Sequence, residues 1–196
     1  MKRFLLLISI AAAVVWLFPV VGPFAGPARA SVITTGDVDP GGAGSQPDPW
    51  AVGGELKVGE PGSGTLSVTD RGRVFNTNGY IGPHSGSTGE VAVTGIGSQW
   101  NIKELLYVGR HGTGTLNIAA GGVVTSTQSG AIAGDSGGTG VATVTGAGSQ
   151  WNTASLSVGT FGSGTLNVEA GGVVASVSGY IGGASGSTGF AMVTGS

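Results

Sequence analysis

Hydrophobic and polar residues alternate over short runs along most of this chain, and each run ends near glycine, serine or threonine. Alternation with a period of two predicts a short β-strand that buries one face. The alternating pairs are Leu56 and Val58, Leu66 and Val68, Val91 and Val93, Leu106 and Val108, Leu116 and Ile118, Leu156 and Val158, and Leu166 and Val168. After residue 30 no segment has the period of roughly 3.6 residues that marks a helix. The pattern therefore predicts an all-β protein.

The runs repeat along the chain in copies of about fifty residues. A tryptophan opens each copy, at Trp50, Trp100 and Trp151, which divides the chain into repeats 50–99, 100–150 and 151–196, the last incomplete. A finer period appears as a Val-Gly or Ile-Gly step, with Ala133 in place of one glycine. The step begins at Val58, Ile81, Val108, Ile132, Val158 and Ile181, at intervals of 23 to 27 residues. Each copy is therefore predicted to hold two turns of chain.

Short strands joined by tight turns, at about 25 residues per circuit, predict a single-stranded parallel β-solenoid, or β-helix, of about six coils. In such a fold each coil lies one strand spacing above the previous one and buries its apolar face against its neighbours. The same spacings could also close antiparallel pairs. A stack of hairpins or a β-sandwich therefore stays open as an alternative.

Glycine, which supplies 41 of the 196 residues, recurs at fixed offsets. Periodic glycine marks turns, because a corner demands backbone conformations that side chains resist. Six glycines are predicted to occupy structural turns: Gly59, Gly109 and Gly159, which follow inward valines, and Gly72, Gly122 and Gly172, which precede strands.

The first thirty residues have the pattern of a helical secretory signal peptide. Two basic residues precede an apolar run from Phe4 to Phe18, and Ala28 and Ala30 are the small residues that a signal peptidase reads. Cleavage is expected before Ser31. A retained membrane anchor is the alternative, although the run is shorter than the roughly 20 residues that span a bilayer. Residues 31–49 are then a linker or cap, and export to the cell surface, the extracellular space or the periplasm is predicted.

Charge and cysteine content narrow the partners of the mature chain. Residues 31–196 contain five Lys and Arg against ten Asp and Glu, a net charge of −5, and no basic stripe that would bind nucleic acid. The chain has no cysteine, so disulfides and thiolate metal sites are excluded. No cofactor is expected, and contact with a membrane is expected only through export or a C-terminal anchor.

Residues 134–138 spell GDSGG, the string around the nucleophile of trypsin-like proteases. The equivalent stretches of the other copies are GPHSGSTG and GGASGSTG, so the string is interpreted as a turn variant. His84 and His111, the only histidines, lie in other glycine-rich turns and are interpreted as solvated turn residues.

Acidic residues show no alignment into a shared site. Solenoid enzymes that act on polysaccharides gather several charged residues on one face of successive coils. The carboxylates that occupy different repeat offsets here are Asp70, Glu90, Glu104, Asp135 and Glu169. A calcium-binding nonapeptide of the GGxGxDx type is absent. No catalytic or metal-binding residue is predicted, and the chain is not expected to be an enzyme.

The regularly spaced indoles of Trp50, Trp100 and Trp151 suggest contact with glycans, since aromatic faces stack on pyranose rings. The alternative is that each indole packs over the apolar rows and buries its large surface. Partners are therefore predicted among surface glycans or host cell-surface components. Self-association through open solenoid ends is also expected, because exposed strand edges pair with other chains.

The consensus string of the copies is GxGSxW followed by LxVG, GxGTL and GGxV, and then by IGxxxGSxG. From Trp50 onward this pattern resembles the type V secretion and PEP-CTERM-associated repeat family. The resemblance implies a secreted β-solenoid of the kind found in autotransporter passengers or in surface-anchored proteins of the bacterial outer membrane, without catalytic residues. Such proteins carry a C-terminal barrel or sorting helix. This chain stops inside a repeat at Ser196, which predicts a truncated or fragmentary reading frame.

Together these observations predict an exported, non-enzymatic, structural or adhesin-like repeat protein. The alternative is a glycan-binding or polysaccharide-processing β-helix protein whose site is too irregular to recognise in the sequence.

Overall fold

The chain forms an all-β solenoid in a computed structural model that describes residues 29–195. This range contains eighteen strands, β1 to β18 in chain order, and no helix. The chain winds through about six parallel coils that share two sheets. The prediction of an all-β parallel solenoid with internal repeats is thus confirmed. The predicted helical signal peptide, apart from Arg29 and Ala30, lies outside the described residues.

Sheet A holds eight of the strands. They are β1 (Ser31–Gly36), β3 (Gly44–Ser45), β6 (Ser63–Thr69), β9 (Thr88–Thr94), β12 (Thr113–Ala119), β14 (Thr139–Thr145), β16 (Ser163–Glu169) and β18 (Thr188–Val193). The strands from β6 to β18 pair in parallel, each with the strand one coil away. At the other end β1 pairs antiparallel with β6, and β3 pairs antiparallel with β1.

Sheet B holds the other ten strands. They are β2 (Val38–Asp39), β4 (Trp50–Ala51), β5 (Glu55–Val58), β7 (Arg73–Asn76), β8 (Asn78–Ile81), β10 (Gln99–Ile102), β11 (Leu105–Val108), β13 (Val123–Ile132), β15 (Gln150–Val158) and β17 (Val173–Ile181). A bend divides the sheet into two lanes. The first lane stacks β4, β7, β10 and the first halves of β13, β15 and β17, and the second lane stacks β5, β8, β11 and the second halves.

Parallel pairing between successive coils excludes the alternative of stacked hairpins for the repeats. The Val-Gly and Ile-Gly steps fall into one row of the second lane, in which Val58 pairs with Ile81, Ile81 with Val108, and Ile132 with Val158. These side chains are at most 1% exposed. The fine period in the sequence is therefore the circuit of one coil.

Rows of inward side chains from the two sheets fill the space between them. In the first lane of sheet B the row alternates in size, because tryptophan occupies every second coil. Its members are Trp50, Val74, Trp100, Val124, Trp151 and Val174. The three indoles are 7%, 0% and 0% exposed. Burial of surfaces this large contributes to the hydrophobic stabilisation of the core, together with the rows of Leu, Ile and Val.

Glycine alternates with leucine in the neighbouring row, and it provides the room for the indoles. The row reads Leu56, Gly79, Leu106, Gly130, Leu156 and Gly179. A Cβ on Gly79 would lie 2.8 Å from Trp100 Cζ2. Each copy therefore places a large residue of one coil over a glycine of the coil before it.

A Cβ on any of the six predicted turn glycines would clash with a backbone carbonyl oxygen of a neighbouring coil, and three of the six also have a positive φ. Gly59, Gly109 and Gly159 have φ of +86°, +70° and +62°, a region that favours glycine. The other three glycines are needed for a close approach to the preceding coil. Cβ atoms on Gly72, Gly122 and Gly172 would lie 2.4, 2.2 and 2.3 Å from the carbonyl oxygens of Ser31, Val93 and Val144.

The outer face of sheet A carries mixed polar and apolar rows. Thr65, Thr115 and Thr165 lie two coils apart, and Glu90 and Val141 lie between them. The row of Thr65 is therefore interrupted, because each sequence copy fills two coils. At the start of the strands an exposed row of hydroxyl residues runs without interruption, through Ser63, Thr88, Thr113, Thr139, Ser163 and Thr188. Within residues 29–195 no helix is long and apolar enough to cross a membrane.

Candidate functional site

The outward face of the second lane of sheet B carries a row of aromatic and small residues, here called the tyrosine row. Each member directly precedes a Val-Gly or Ile-Gly step, so all of them point away from the core. In order along the solenoid they are Lys57, Tyr80, Tyr107, Ala131, Ser157 and Tyr180. The row can be read from the sequence as the residue before each step. An alignment of the three copies does not reveal it, because Tyr80 lies in the second half of its copy and Tyr107 lies in the first half of the next.

Tyr80 and Tyr107 stack on one another across adjacent coils. Their ring centroids are 5.7 Å apart, and their planes differ by 9°. Arg110 lies over both rings, with its Cζ 5.4 Å and 5.2 Å from the two centroids. A guanidinium at this distance is attracted by the negative faces of aromatic rings. Burial, followed by the nearby Glu55 carboxylate, raises the pKa of the Tyr80 hydroxyl above its ordinary value.

Arg110 also links the tyrosine row to the GDSGG turn. Its Nε donates to Asp135 Oδ2 at 2.8 Å. This hydrogen bond raises the pKa of the guanidinium. His111 Nε2 lies 3.5 Å from the same Oδ2. Since both contacts use Oδ2, Asp135 Oδ1 faces neither of these two partners.

A second charged cluster lies at the other end of the row. Lys57 Nζ is 3.1 Å from Glu60 Oε2 and 3.5 Å from Glu55 Oε2, and His84 Nε2 is 3.1 Å from Glu60 Oε1. Burial raises the pKa of Glu60, but hydrogen bonds from His84 and Lys57 outweigh it and leave that pKa below its ordinary value. The hydrogen bond to Glu60 raises the pKa of Lys57.

The contacts of His84 and Arg110 with carboxylates follow from the circuit of one coil, whereas those of Lys57 are local. Glu60 and His84 are 24 residues apart, and Arg110 and Asp135 are 25 residues apart. The two histidines were predicted to be solvated turn residues, and their carboxylate partners were missed because these lie one circuit away and not at local spacings in the sequence. Side chains one circuit apart become neighbours once the coils stack.

The GDSGG turn connects β13 and β14 and does not assemble the contacts of a serine protease. His111 Nδ1 lies 3.5 Å from the backbone carbonyl of Ser136. A nucleophile would require the imidazole to meet the serine hydroxyl. The nearest contact of His111 with Ser136 is thus made to the backbone carbonyl and not to the hydroxyl group.

A cleft of about 380 Å³ opens where the tyrosine row is interrupted. Tyr107 and Tyr180 line it from opposite ends, and the smaller Ala131 and Ser157 lie between them in the row. Its lining also includes Ser129, Asp135, Thr160 and Phe161. Tyr180 and Phe161 are 62% and 56% exposed. The cleft thus combines aromatic faces, hydroxyl groups and one carboxylate.

A second depression follows the bend between the two lanes of sheet B. It consists of two cavities of about 390 and 400 Å³ that share Thr125 and Thr127. Phe75, which is 40% exposed, lines its first part together with Lys103. Lys103 is the one charged residue among the described lining residues, so this groove lacks the paired charges of the tyrosine row.

The residues singled out from the sequence do not meet in one place. Trp50, Trp100 and Trp151 are buried in the core, the position expected if the indoles serve packing. Of the five carboxylates singled out from the sequence, only Asp135 lines the cleft beside the tyrosine row. The other four, Asp70, Glu90, Glu104 and Glu169, lie elsewhere on the two sheets and their turns. Among residues 29–195 no group of three His, Cys, Asp or Glu is arranged to hold a metal ion.

Comparison with known proteins gives no relative from which to infer a function. No family model, no curated protein and no solved structure matches this chain.

Proposed function

We propose that this chain is an exported, non-enzymatic β-solenoid that serves as a structural or adhesin-like segment at the cell surface, like the passenger of an autotransporter. The observation that carries the proposal is the unbroken parallel pairing from β6 to β18, which makes one continuous scaffold from three sequence copies. Six coils at about 4.8 Å each give a stack on the order of 30 Å long. Such a stack presents side chains of successive coils in rows.

The state of the charged groups supports a role without catalysis. Glycoside hydrolysis by paired carboxylates needs one carboxyl group with a raised pKa, which donates a proton to the leaving group. Glu60 has a lowered pKa, and Asp135 accepts a hydrogen bond from Arg110. Both side chains are thereby suited to holding the surface together, and the lowered pKa of Glu60 makes this carboxyl group a poor proton donor.

Export rests on the pattern of residues 1–30, and a direct experiment tests it. The full chain is expressed with a C-terminal tag in a Gram-negative host, and the tagged product is recovered from periplasm, surface and medium. We expect a product whose N-terminus, read by mass spectrometry, begins at Ser31. Surface accessibility is then measured with a protease added to intact cells. An uncleaved chain that stays in the cytosol would overturn the proposed location.

Adhesion is tested separately, with beads that carry the purified chain. We expect the coated beads to bind bacterial or host cell surfaces more than uncoated beads do. Equal retention of both kinds of bead would contradict the adhesin-like role and leave a structural role.

The alternative function of glycan binding is favoured by one specific observation, the cleft between Tyr107 and Tyr180.

A further inference from the structure

We infer that the cleft in the tyrosine row is a binding subsite for a neutral saccharide, which deepens the adhesin-like function proposed above and rests on it. The argument starts from the way the cleft is made. Tyr80 and Tyr107 show that the outward positions of this lane accommodate stacked rings on adjacent coils. Ala131 and Ser157 hold the next two positions of the same row, and Tyr180 follows. The cleft therefore lies where two small residues stand at positions of the row that could hold aromatic rings.

The dimensions of this space fit sugar rings. Tyr107 and Tyr180 are three coils apart, which corresponds to about 14 Å along the solenoid. A pyranose ring presents C–H groups on its faces and hydroxyl groups at its rim. Its faces pack well on aromatic side chains, and its hydroxyl groups need polar partners in the same pocket. The span between the two tyrosines accommodates a disaccharide.

Polar partners for the rim lie in the same cleft. Asp135 is held by Arg110 Nε through Oδ2 at 2.8 Å, so its position is fixed while Oδ1 can accept hydroxyl protons. The hydroxyl groups of Ser157 and Thr160 also belong to the lining. Thr160 Oγ1 is buried, and it has no hydrogen-bond partner in the protein. Because protein atoms cover this oxygen, the polar groups that a ligand in the cleft would reach first are those of Ser157 and Asp135.

A peptide fits this surface less well than a saccharide does. An extended peptide binds to a sheet by adding a strand to an open edge. In the tyrosine row the backbone groups of β13 and β15 already pair with the coils on both sides. The cleft offers only side chains, on the face of the sheet. The balanced charges of Arg110 and Asp135 favour a ligand without strong net charge.

The test uses the purified protein from whichever compartment of the expression host contains it, so that its outcome does not depend on export. Three neutral probes, cellohexaose, chitohexaose and maltohexaose, are titrated by isothermal calorimetry. We expect at least one of them to bind, and we expect Tyr180→Ala to weaken its binding tenfold or more. Phe75→Ala is the matched control, because it removes an exposed aromatic ring from the other groove, and it should leave the affinity unchanged.

A second variant separates binding from folding. Ser157→Tyr places a ring in an outward position of the row, where the stacking of Tyr80 on Tyr107 shows that rings are accepted. It should keep the circular dichroism spectrum and the unfolding midpoint of the parent chain while it abolishes binding.

Three results would overturn the inference. None of the three probes binds at about 5 mM, or Phe75→Ala and Tyr180→Ala weaken binding equally, or Ser157→Tyr is folded and still binds. Binding of a peptide in place of all three saccharides also overturns it. Normal export and surface exposure with no saccharide binding would remove this subsite and leave the proposed function intact.

Discussion

The indole of Trp151 lies against the backbone of Gly130, one coil away. A Cβ on Gly130 would lie 2.6 Å from Trp151 Cζ2 and 3.3 Å from Leu156 Cδ1. Both tryptophan and glycine are therefore required at this crossing, one to fill the core and the other to admit it. The same relationship holds between Trp100 and Gly79. The regular spacing of tryptophan in the sequence is thus one part of a pattern that pairs each of these tryptophans with a glycine of the coil before it.

Gly130→Ala is expected to destabilise the solenoid by about 2 kcal/mol, because an added methyl group in a filled core forces neighbouring side chains and backbone to shift. The measurement is the urea midpoint followed by tryptophan fluorescence. Gly179→Ala is the matched control, since a Cβ at this position of the same row would meet no atom nearer than 3.9 Å. Equal losses from the two substitutions would show that the indole contact is not the cause.

Asn76→Ser is expected to destabilise the protein by roughly 1 to 3 kcal/mol, because it takes away the partner of a buried donor. Trp100 Nε1 donates to Asn76 Oδ1 at 2.6 Å. Ser126 occupies the equivalent position below Trp151, and there Trp151 Nε1 and Ser126 Oγ have no protein partner. Thermal unfolding measures the loss, with the half-exposed Asn101→Ser as the control. An unchanged midpoint for Asn76→Ser would refute the proposed role of the bond.

Arg71→Gly is expected to stabilise the protein by about 0.5 to 1 kcal/mol. Arg71 has φ of +71°, a region that costs an L-residue about 1 to 2 kcal/mol, and Gly121 and Gly171 occupy the equivalent corners with φ of +88° and +81°. The backbone N–H of Arg71 donates to Ser98 Oγ at 3.1 Å, a bond that glycine retains. Chemical denaturation compares this variant with Arg71→Ala. Alanine removes the charge but keeps the strain, so a gain from both variants would point to charge instead.

Glu60 is expected to contribute stability near neutral pH that is lost in acid. Its pKa is lower in the folded chain than in the unfolded chain, so its contribution is complete above the unfolded value of about 4.3 and disappears as the pH falls through the folded value. The contribution of an exposed ion pair is small, below about 1 kcal/mol. Denaturation at pH 6 and pH 3 should show a stability difference between the parent chain and Glu60→Gln that shrinks in acid.

The control for this pH dependence is Glu90→Gln, which removes an exposed carboxylate from the outer face of sheet A. We expect it to change the two stabilities less than Glu60→Gln does. A difference between parent and Glu60→Gln that grows towards pH 3 would contradict the lowered pKa.

The sequence was sufficient to predict the coil circuit, because the steps at Val58, Ile81 and Val108 combine an inward residue with a corner. It was not sufficient to show why glycine is required at each corner. Gly59 combines a positive φ with a close approach to the carbonyl oxygen of Thr88, whereas Gly72 has only the close approach, to the carbonyl oxygen of Ser31. Only the stacked structure distinguishes a local backbone requirement from a contact between distant parts of the chain.

The candidate site was harder to predict than the fold, because its members come from several circuits. Tyr107 and Tyr180 are 73 positions apart in the sequence, and neither has a partner in its own strand. Once the circuit is known, the row can be read from the residue before each Val-Gly or Ile-Gly step. The bulge between Ser126 and Ser129 shows the limit of such counting, since it absorbs an extra residue without shifting the row.

The parallel ladders also determine how the molecule would respond to a pull along its long axis. Every ladder hydrogen bond between coils points roughly along that axis, so tension would part the strands in sequence, as a zipper opens, and would not shear them all together. A freed coil of about 25 residues extends to about 80 Å, where it had occupied about 5 Å. A tether built this way would lengthen under load in discrete steps and would absorb mechanical work at each of them.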